Sequence, residues 1–196
     1  MQLDLSDDQL QIRDSVRALC ASEFAAHAAR WDHEGEVPRS AVATLAEHGF
    51  LGMAIPEEWG GVGYDTRTTV MVLEEIARVS AALAIMIAVH NSVGALPVFR
   101  FGTDAQRRRY LPRLVSKELA AFSLSEPGAG SDAAALATRA ARDGGDYVLN
   151  GQKQFISGAG ASDMPGPVRS EPAQETNNRG SAPSRHGRAI SRPRTA

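Results

Sequence analysis

The stretch AAFSLSEPGAGSD, residues 120–132, places glycines, serines and two acids directly after a segment of extended character. Because glycine lacks a Cβ atom, the backbone here could come close to a bound ligand. Residues 128–133 satisfy the loose GxGxxA pattern of a turn that binds dinucleotide phosphates. That fold also requires an acid about twenty residues later to bind the ribose, whereas Asn150 and Gly151 occupy this region. The stretch therefore predicts a ligand-approaching loop in a different fold.

Glu126 is the candidate base within this stretch. A carboxylate can remove a proton from a substrate that lies within hydrogen-bond reach. Glu126 is followed by Pro127, whose ring fixes the backbone of a turn. We therefore expect a structural role for this acid rather than a catalytic one.

The composition excludes several classes of partner and site. The chain has 196 residues, 43% of them apolar, and a formal net charge of −2. This charge gives no electrostatic reason to expect binding to nucleic acid or to an anionic membrane. With Cys20 as the single cysteine, an intramolecular disulfide and a thiolate metal site are both excluded. We expect a reducing, cytoplasmic location, since the N-terminus has no basic flank followed by an apolar core.

One segment is long and apolar enough to raise the question of a membrane span. Residues 79–99 contain no Asp, Glu, Lys or Arg. His90, Asn91, Gly94 and Pro97 interrupt this segment. We therefore predict a buried core helix followed by a turn, and no membrane partner.

The periodicity predicts helices throughout residues 1–118. Ser6 with Gln9, and Thr103 with Gln106, have the form of capping boxes at helix starts. The connector IPEEWGGVGYD, residues 55–65, predicts a tight turn in which Trp59 is a packing residue. Pro112 is expected to bend or end the last helix.

The pattern changes near residue 119. AAFSLS suggests a short strand, ALATRAAR is expected to pair with DYVLNG across a tight turn at 143–146, and Asn150–Gly151 gives a further hairpin signal. After residue 163 the sequence holds five of the ten prolines, six arginines and few large apolar residues, which predicts disorder. The expected fold class is α+β: an all-helical N-terminal domain (1–118), a partial antiparallel β-domain (119–163) and a disordered tail (164–196).

Four segments in the same order resemble the acyl-CoA dehydrogenase family. They are IPEEWGGVGYD, RFGTDAQRRRYLPRL, AFSLSEPGAGSD and YVLNGQKQFISGAGASD, and the resemblance covers about residues 3–163. It implies a flavoprotein that binds FAD and converts an acyl-CoA thioester to the trans-2-enoyl-CoA. It also implies an electron-transfer flavoprotein as acceptor and a homo-oligomer for the full-length family.

The resemblance carries over residue by residue to candidate site residues. Those matching the flavin-binding positions are Phe122, Leu124, Ser125, Phe155, Ile156 and Ser157; Ser131 matches a position beside the acyl-CoA thioester and pantetheine. The Ser157 hydroxyl is expected near flavin N5. Structural alternatives exist for single residues, because serines beside Pro and Gly are common in turns and phenylalanines can fill a core.

The family's catalytic base is a glutamate in a C-terminal helical domain, and no segment here matches that domain. We therefore expect no catalytic residue, little turnover and weak FAD retention from these 196 residues. The switch to Pro/Arg/Ser-rich sequence at Met164 suggests a frameshift. Two alternatives stay open: a related acyl-CoA oxidase, and a non-catalytic helical interaction module whose basic tail recruits a partner.

Overall fold

The structure is a computed structural model that describes residues 4–144 and 146–163. The chain forms two compact units, Met1–Ala120 and Ala121–Ala196. The disorder predicted for residues 164–196 lies outside the described residues.

The named elements in the described part of the first unit are all helices or helical turns. Its α-helices are α1 (Asp7–Glu23), α2 (Ala25–Glu34), α3 (Arg39–Glu47), α4 (Thr66–Ala77), α5 (Ala81–Val89), α6 (Leu96–Phe101) and α7 (Asp104–Ser116). Two 3₁₀ turns, Phe50–Gly52 and Glu57–Trp59, connect α3 to α4, and a π-helix, His90–Ala95, connects α5 to α6.

Both predicted capping boxes are confirmed. At the start of α1 the Gln9 N–H donates to Ser6 Oγ at 3.2 Å, and the Ser6 N–H donates to Gln9 Oε1 at 3.1 Å. Thr103 and Gln106 exchange the same pair of bonds at the start of α7. Each box satisfies backbone donors that have no partner within the helix, which fixes where the helix begins.

The core of the first unit is made of large side chains with almost no exposure. Burying each such aliphatic side chain stabilises the fold by about 1.5–3 kcal/mol. The largest of them come from the helices and from the segments that connect or follow them: Phe24, Leu45, Leu51, Met53, Ile55, Ile76, Leu83, His90, Ile87, Leu111, Leu114 and Leu119.

The apolar segment after Ser80 does not end in the predicted turn. Helix α5, the π-helix and α6 form one continuous helical stretch, Ala81–Phe101. The wider π-turn is closed by the Leu96 N–H donating to the Asn91 carbonyl. Pro97 is the second residue of α6, directly after the π-turn, and its missing N–H removes one backbone donor from the continuous helix.

This 21-residue stretch has a mean hydropathy of 1.8, long and apolar enough for a membrane span. A core helix of a globular domain has the same properties. Here Leu83, Ile87 and Ala95 are buried in the first unit, and two polar side chains of the stretch bond to other segments. These contacts favour the interpretation as a core helix.

His90 lies fully buried in the π-helix and joins three segments. Its Nε2–H is shared between the carbonyls of Leu51 (3.0 Å) and Leu114 (3.1 Å), and its Nδ1 accepts from the Ala120 N–H at 2.9 Å. Since Nδ1 is an acceptor, the imidazole is neutral. Burial lowers the pKa of His90 to about 4.

Asn91 makes a second buried polar connection from the same π-turn. Its amide nitrogen donates to the carbonyls of Phe50 (2.9 Å) and Ile87 (3.0 Å), and its Oδ1 accepts from the Met53 N–H at 2.9 Å. The bonds to Phe50 and Met53 satisfy backbone groups in and directly after the buried 3₁₀ turn Phe50–Gly52.

The predicted turn around Trp59 is confirmed. Gly60 has φ +85°, and a Cβ on Gly61 would overlap the Ile55 carbonyl oxygen and lie 2.6 Å from that of Gly52. Only glycine allows these backbone segments to approach so closely. Trp59 itself is half-buried and donates from its indole nitrogen to Glu58 at 3.0 Å.

Pro112 lies inside α7 and does not end it, so one of its two expected effects is not observed. The helix continues to Ser116, whose hydroxyl donates to the Pro112 carbonyl at 2.7 Å. Leu111, Leu114 and Val115 are buried on this last turn. The packing of this apolar face offsets the loss of one helical hydrogen bond.

The second unit contains a two-stranded antiparallel sheet, β1 (Arg139–Asp143) and β2 (Asp146–Asn150). Arg139 pairs with Asn150, and Asp143 pairs with Asp146. The predicted pairing and the tight turn at 143–146 are confirmed. Together with the helical first unit this gives the predicted α+β class.

Two predictions for this unit are wrong. Residues 121–125 form no strand; the carbonyls of Leu124 and Ser125 bond instead to Lys153 and Gln154. Asn150–Gly151 does not turn the chain into a hairpin, since β2 ends at Asn150 and residues 151–154 are in no strand.

Candidate functional site

Two of the predicted cofactor-binding segments lie side by side in the second unit. The backbone N–H of Gln154 donates to the Ser125 carbonyl at 3.0 Å. The Lys153 ammonium donates to the Leu124 carbonyl at 2.9 Å, and the Gln154 side-chain amide donates to the Glu126 carbonyl at 3.1 Å. Residues 124–126 are therefore held against residues 153–154, directly before Phe155.

The Glu126 carboxylate is buried and fully engaged. Its Oε1 accepts from Lys153 Nζ at 2.7 Å and from the Thr138 N–H at 3.1 Å, and its Oε2 accepts from the Ala137 N–H at 2.6 Å. Its side chain is 5% exposed and that of Lys153 is 6% exposed. We call Glu126, Lys153, Gln154, Ala137 and Thr138 the Glu126 cluster.

These bonds decide the role of Glu126 in acid–base chemistry. The Lys153 ammonium, together with the donors at Ala137 and Thr138, lowers the pKa of Glu126 to about 2. So acidic a carboxyl group is a weak base, and its oxygens already accept hydrogen bonds from protein donors. These contacts support the expected structural role.

Phe155 has a conformation that packing within its own unit does not explain. It is the one non-glycine residue with a positive φ (56°) among residues 4–144 and 146–163, and its side chain is 87% exposed. A bulky residue in the left-handed region costs of order 1–3 kcal/mol. The backbone therefore presents an aromatic ring to a surface that a ligand could cover.

The other predicted flavin-binding residues differ in exposure. Phe122, Leu124, Ser125 and Ile156 are half-buried, whereas Ser157 is exposed. The contacts above bring Leu124 and Ser125 next to the Phe155 segment. None of these contacts includes Phe122.

Ser131, the candidate substrate-binding residue, lies further along the same loop. Glu126 and Ala129 exchange backbone hydrogen bonds of 2.9 and 3.1 Å, which tighten the turn before it. The Ser131 side chain is exposed, and the neighbouring Asp132 accepts from the Ala134 N–H at 3.0 Å. A Cβ on Gly128 or Gly130 would meet no atom within 4 Å, so both glycines leave open space around the loop.

The chemistry of these residues fits a flat, partly polar cofactor. An exposed phenylalanine ring offers an apolar face for another ring system. Ser125, Ser157 and Ser131 add hydroxyl groups that can donate or accept hydrogen bonds. A metal centre has no comparable support, since the described part of the chain contains no group of three or more His, Cys, Asp or Glu side chains that could hold an ion.

Sequence reasoning missed Lys153 and Gln154, which connect the two candidate segments. A lysine two residues before an aromatic residue carries no signal that it will be buried, because its partner is 27 positions away. The same holds for His90 and Asn91, which read as interruptions of an apolar segment and instead bond to backbone groups 24 to 41 positions away.

Comparison with known proteins identifies a family for both units. Residues 6–118 match the family model "Acyl-CoA dehydrogenase, N-terminal domain", and residues 121–181 match "Acyl-CoA dehydrogenase, middle domain". The second match extends past residue 163, where the sequence analysis ends the middle domain. The two predicted domain boundaries, after residues 118 and 163, stay predictions.

Individual relatives also belong to the acyl-CoA dehydrogenases. An acyl-CoA dehydrogenase of Bacillus subtilis is 37% identical over 163 residues, which are 83% of this chain and 43% of that protein. Butyryl-CoA dehydrogenase from Megasphaera elsdenii superposes with a TM-score of 0.79 at 32% identity, over 84% of this chain and 44% of that one. A glutaryl-CoA dehydrogenase from Mycobacterium smegmatis in complex with FADH2 superposes with a TM-score of 0.78 at 26% identity, over 82% of this chain and 42% of that one.

The chain thus spans about two-fifths of the length of the relatives that it matches. Two family models together cover most of it, in the order that the helical and β-containing units follow. The chain belongs to the acyl-CoA dehydrogenase family.

Proposed function

We propose that this chain supplies the N-terminal and part of the middle domain of an FAD-dependent acyl-CoA dehydrogenase, which removes two hydrogens from the α- and β-carbons of an acyl-CoA thioester. The observation that carries the proposal is Phe155, a strained and exposed aromatic residue held beside the Ser125 segment. Family membership, with relatives that act on butyryl-CoA or are bound to FADH2, supports the same assignment.

Each predicted site residue has a role in this proposal. FAD, when bound, supplies the hydride acceptor for the substrate. Phe155 and Ile156 provide apolar contacts for the flavin ring, and the Ser125 and Ser157 hydroxyls bond to its polar edge. Phe122 and Leu124 would line the side of the flavin that Ser125 contacts. Ser131 binds the acyl-CoA near its thioester, where Gly128 and Gly130 leave room.

We propose that the proton-abstracting base does not come from the residues of this chain. Glu126 is engaged by Lys153 and by two backbone donors. The family resemblance assigns the base to a C-terminal helical domain, which no segment here matches. On this proposal the 196 residues bind FAD weakly and turn over little acyl-CoA on their own, and the complete site passes electrons to an electron-transfer flavoprotein within a homo-oligomer.

FAD binding tests the role of Phe155. The Phe155→Ala variant is expected to weaken FAD affinity about tenfold, because it removes the ring that would stack on the flavin. Quenching of flavin fluorescence during titration with the purified chain measures the dissociation constant.

The matched control is Phe101→Ala, which removes an equally exposed phenylalanine (84%) from the first unit. This control should bind FAD as the unmodified chain does. Equal affinity of the two variants, or no binding by the unmodified chain, would contradict the proposal.

A further inference from the structure

The Glu126 cluster connects the two segments that carry the candidate flavin-binding residues. We propose that Glu126, paired with Lys153, is a positioning residue for the flavin: it fixes the distance between the Ser125 segment and Phe155. This inference rests on the proposed function, because it assigns a role in cofactor binding to residues that do not themselves contact the cofactor.

The Glu126–Lys153 pair controls where Phe155 lies. Lys153 Nζ bonds both to Glu126 Oε1 (2.7 Å) and to the Leu124 carbonyl (2.9 Å), so it holds the start of the second segment against the first. Gln154 then bonds to Ser125 and Glu126 through its backbone and side chain. Phe155 follows immediately, so any shift of Lys153 moves its ring relative to Ser125.

Only a carboxylate satisfies all the donors around position 126. Three donors converge on its two oxygens: the Lys153 ammonium and the backbone N–H groups of Ala137 and Thr138. A glutamine would offer one accepting oxygen and turn its own N–H2 group toward a donor. The same carboxylate also bonds to the backbone of residues 137–138, immediately before strand β1. The position of residues 124–126 is therefore fixed relative to the β1–β2 sheet.

A contribution to the overall stability of the fold is a weak explanation for this buried pair. Replacing a buried ion pair by apolar groups of similar size is often neutral or stabilising, because the charges lose their hydration. Both side chains here are almost completely buried, at 5% and 6% exposure. What the pair adds over an apolar contact is a defined geometry, and that geometry is set at the edge of the candidate site.

The test compares the double variant E126Q/K153M with the unmodified 196-residue chain. The double change removes both charges, so neither is left buried without a partner. We expect the second unit to stay folded, the FAD dissociation constant to rise about tenfold or more, and amide hydrogen exchange to become faster at residues 137–138 and 153–157. Fluorescence titration with FAD and mass-spectrometric exchange in the absence of FAD measure the two effects.

The matched control is E57Q/K117M, which makes the same two chemical changes at exposed positions of the first unit. It should change neither the FAD affinity nor exchange in the second unit. The inference is overturned if E126Q/K153M stays folded and binds FAD within about twofold of the unmodified chain.

If the double variant unfolds, Glu126→Asp decides instead. It keeps the charge, but the side chain is one methylene shorter and cannot reach both Lys153 and the Ala137 N–H. Faster exchange at these positions with weaker FAD binding supports positioning, and unchanged affinity overturns it. If the unmodified chain binds no FAD, the proposed function fails and this inference with it; normal FAD binding by E126Q/K153M overturns the inference alone.

Discussion

At the scale of single residues, Phe155 and His90 contrast most clearly. Phe155 is exposed on the second unit, whereas His90 is buried in the first unit where three backbone segments meet. The Phe155 ring is 87% exposed on a backbone with φ 56°, which local packing does not explain. His90 instead uses both ring nitrogens for backbone groups of Leu51, Leu114 and Ala120. The exposed Phe155 ring is suited to binding a ligand, whereas the His90 bonds fix the packing of the helical unit.

The neutral state of His90 predicts how the stability of the first unit depends on pH. An unfolded histidine binds a proton near pH 6.5, whereas burial holds the pKa of His90 at about 4 in the native state. On acidification the unfolded chain is therefore protonated first. The free energy of unfolding should be unaffected by this group above pH 7 and fall by about 3 kcal/mol as pH drops from 6.5 to 4.

Urea unfolding at a series of pH values between 7.5 and 5 measures this slope. The control is His90→Gln, which has no group that titrates in this range. Its free energy of unfolding should depend less steeply on pH, since the other histidines are the same in both proteins. Parallel slopes for the two proteins would show that the prediction is wrong.

At the scale of structural elements, the hairpin β1–β2 depends on Gly151 because Thr138 lies too close to its Cα for any side chain. A Cβ on Gly151 would overlap Thr138 Oγ1 and lie 2.7 Å from the Thr138 Cα, one position beyond the Arg139–Asn150 pair. The glycine thus permits close approach of two backbone segments. Its φ is not in the left-handed range, so it is not the turn residue that Asn150–Gly151 indicated.

Gly151→Ala is therefore expected to destabilise the hairpin by about 1–3 kcal/mol, the usual cost of forcing an extra carbon into a packed contact. Faster hydrogen exchange of the β1 and β2 amides measures this loss. Gly160→Ala is the matched control, because a Cβ there meets no atom within 4 Å. Equal exchange in both variants would contradict the account of Gly151.

Local signals predicted much of the fold, and long-range contacts supplied the rest. The capping boxes at Ser6 and Thr103 and the pairing of β1 with β2 depend on neighbouring residues, so the sequence pattern was sufficient. The continuation of the helix through His90 depends on bonds to segments far along the chain. The candidate site shows the same division: its residues follow from the family resemblance, whereas Lys153, which connects them, has no local signal.

At the scale of the whole molecule, the largest fully buried side chains lie in the first unit and the candidate site lies in the second. The helical unit has a continuous apolar core with polar connections at its π-turn. The second unit carries every predicted flavin- and substrate-binding residue on two connected segments. The Glu126 carboxylate is engaged by three donors and is a weak base, so our account separates cofactor binding from proton abstraction.

An anaerobic flavin spectrum tests this separation most directly. The purified chain is mixed with FAD, and butyryl-CoA is then added under anaerobic conditions while the visible absorbance is followed. Our account predicts a shifted spectrum that shows bound flavin, and no loss of the flavin band after butyryl-CoA is added. A spectrum identical to free FAD, or a bound flavin that bleaches with the substrate, would contradict it.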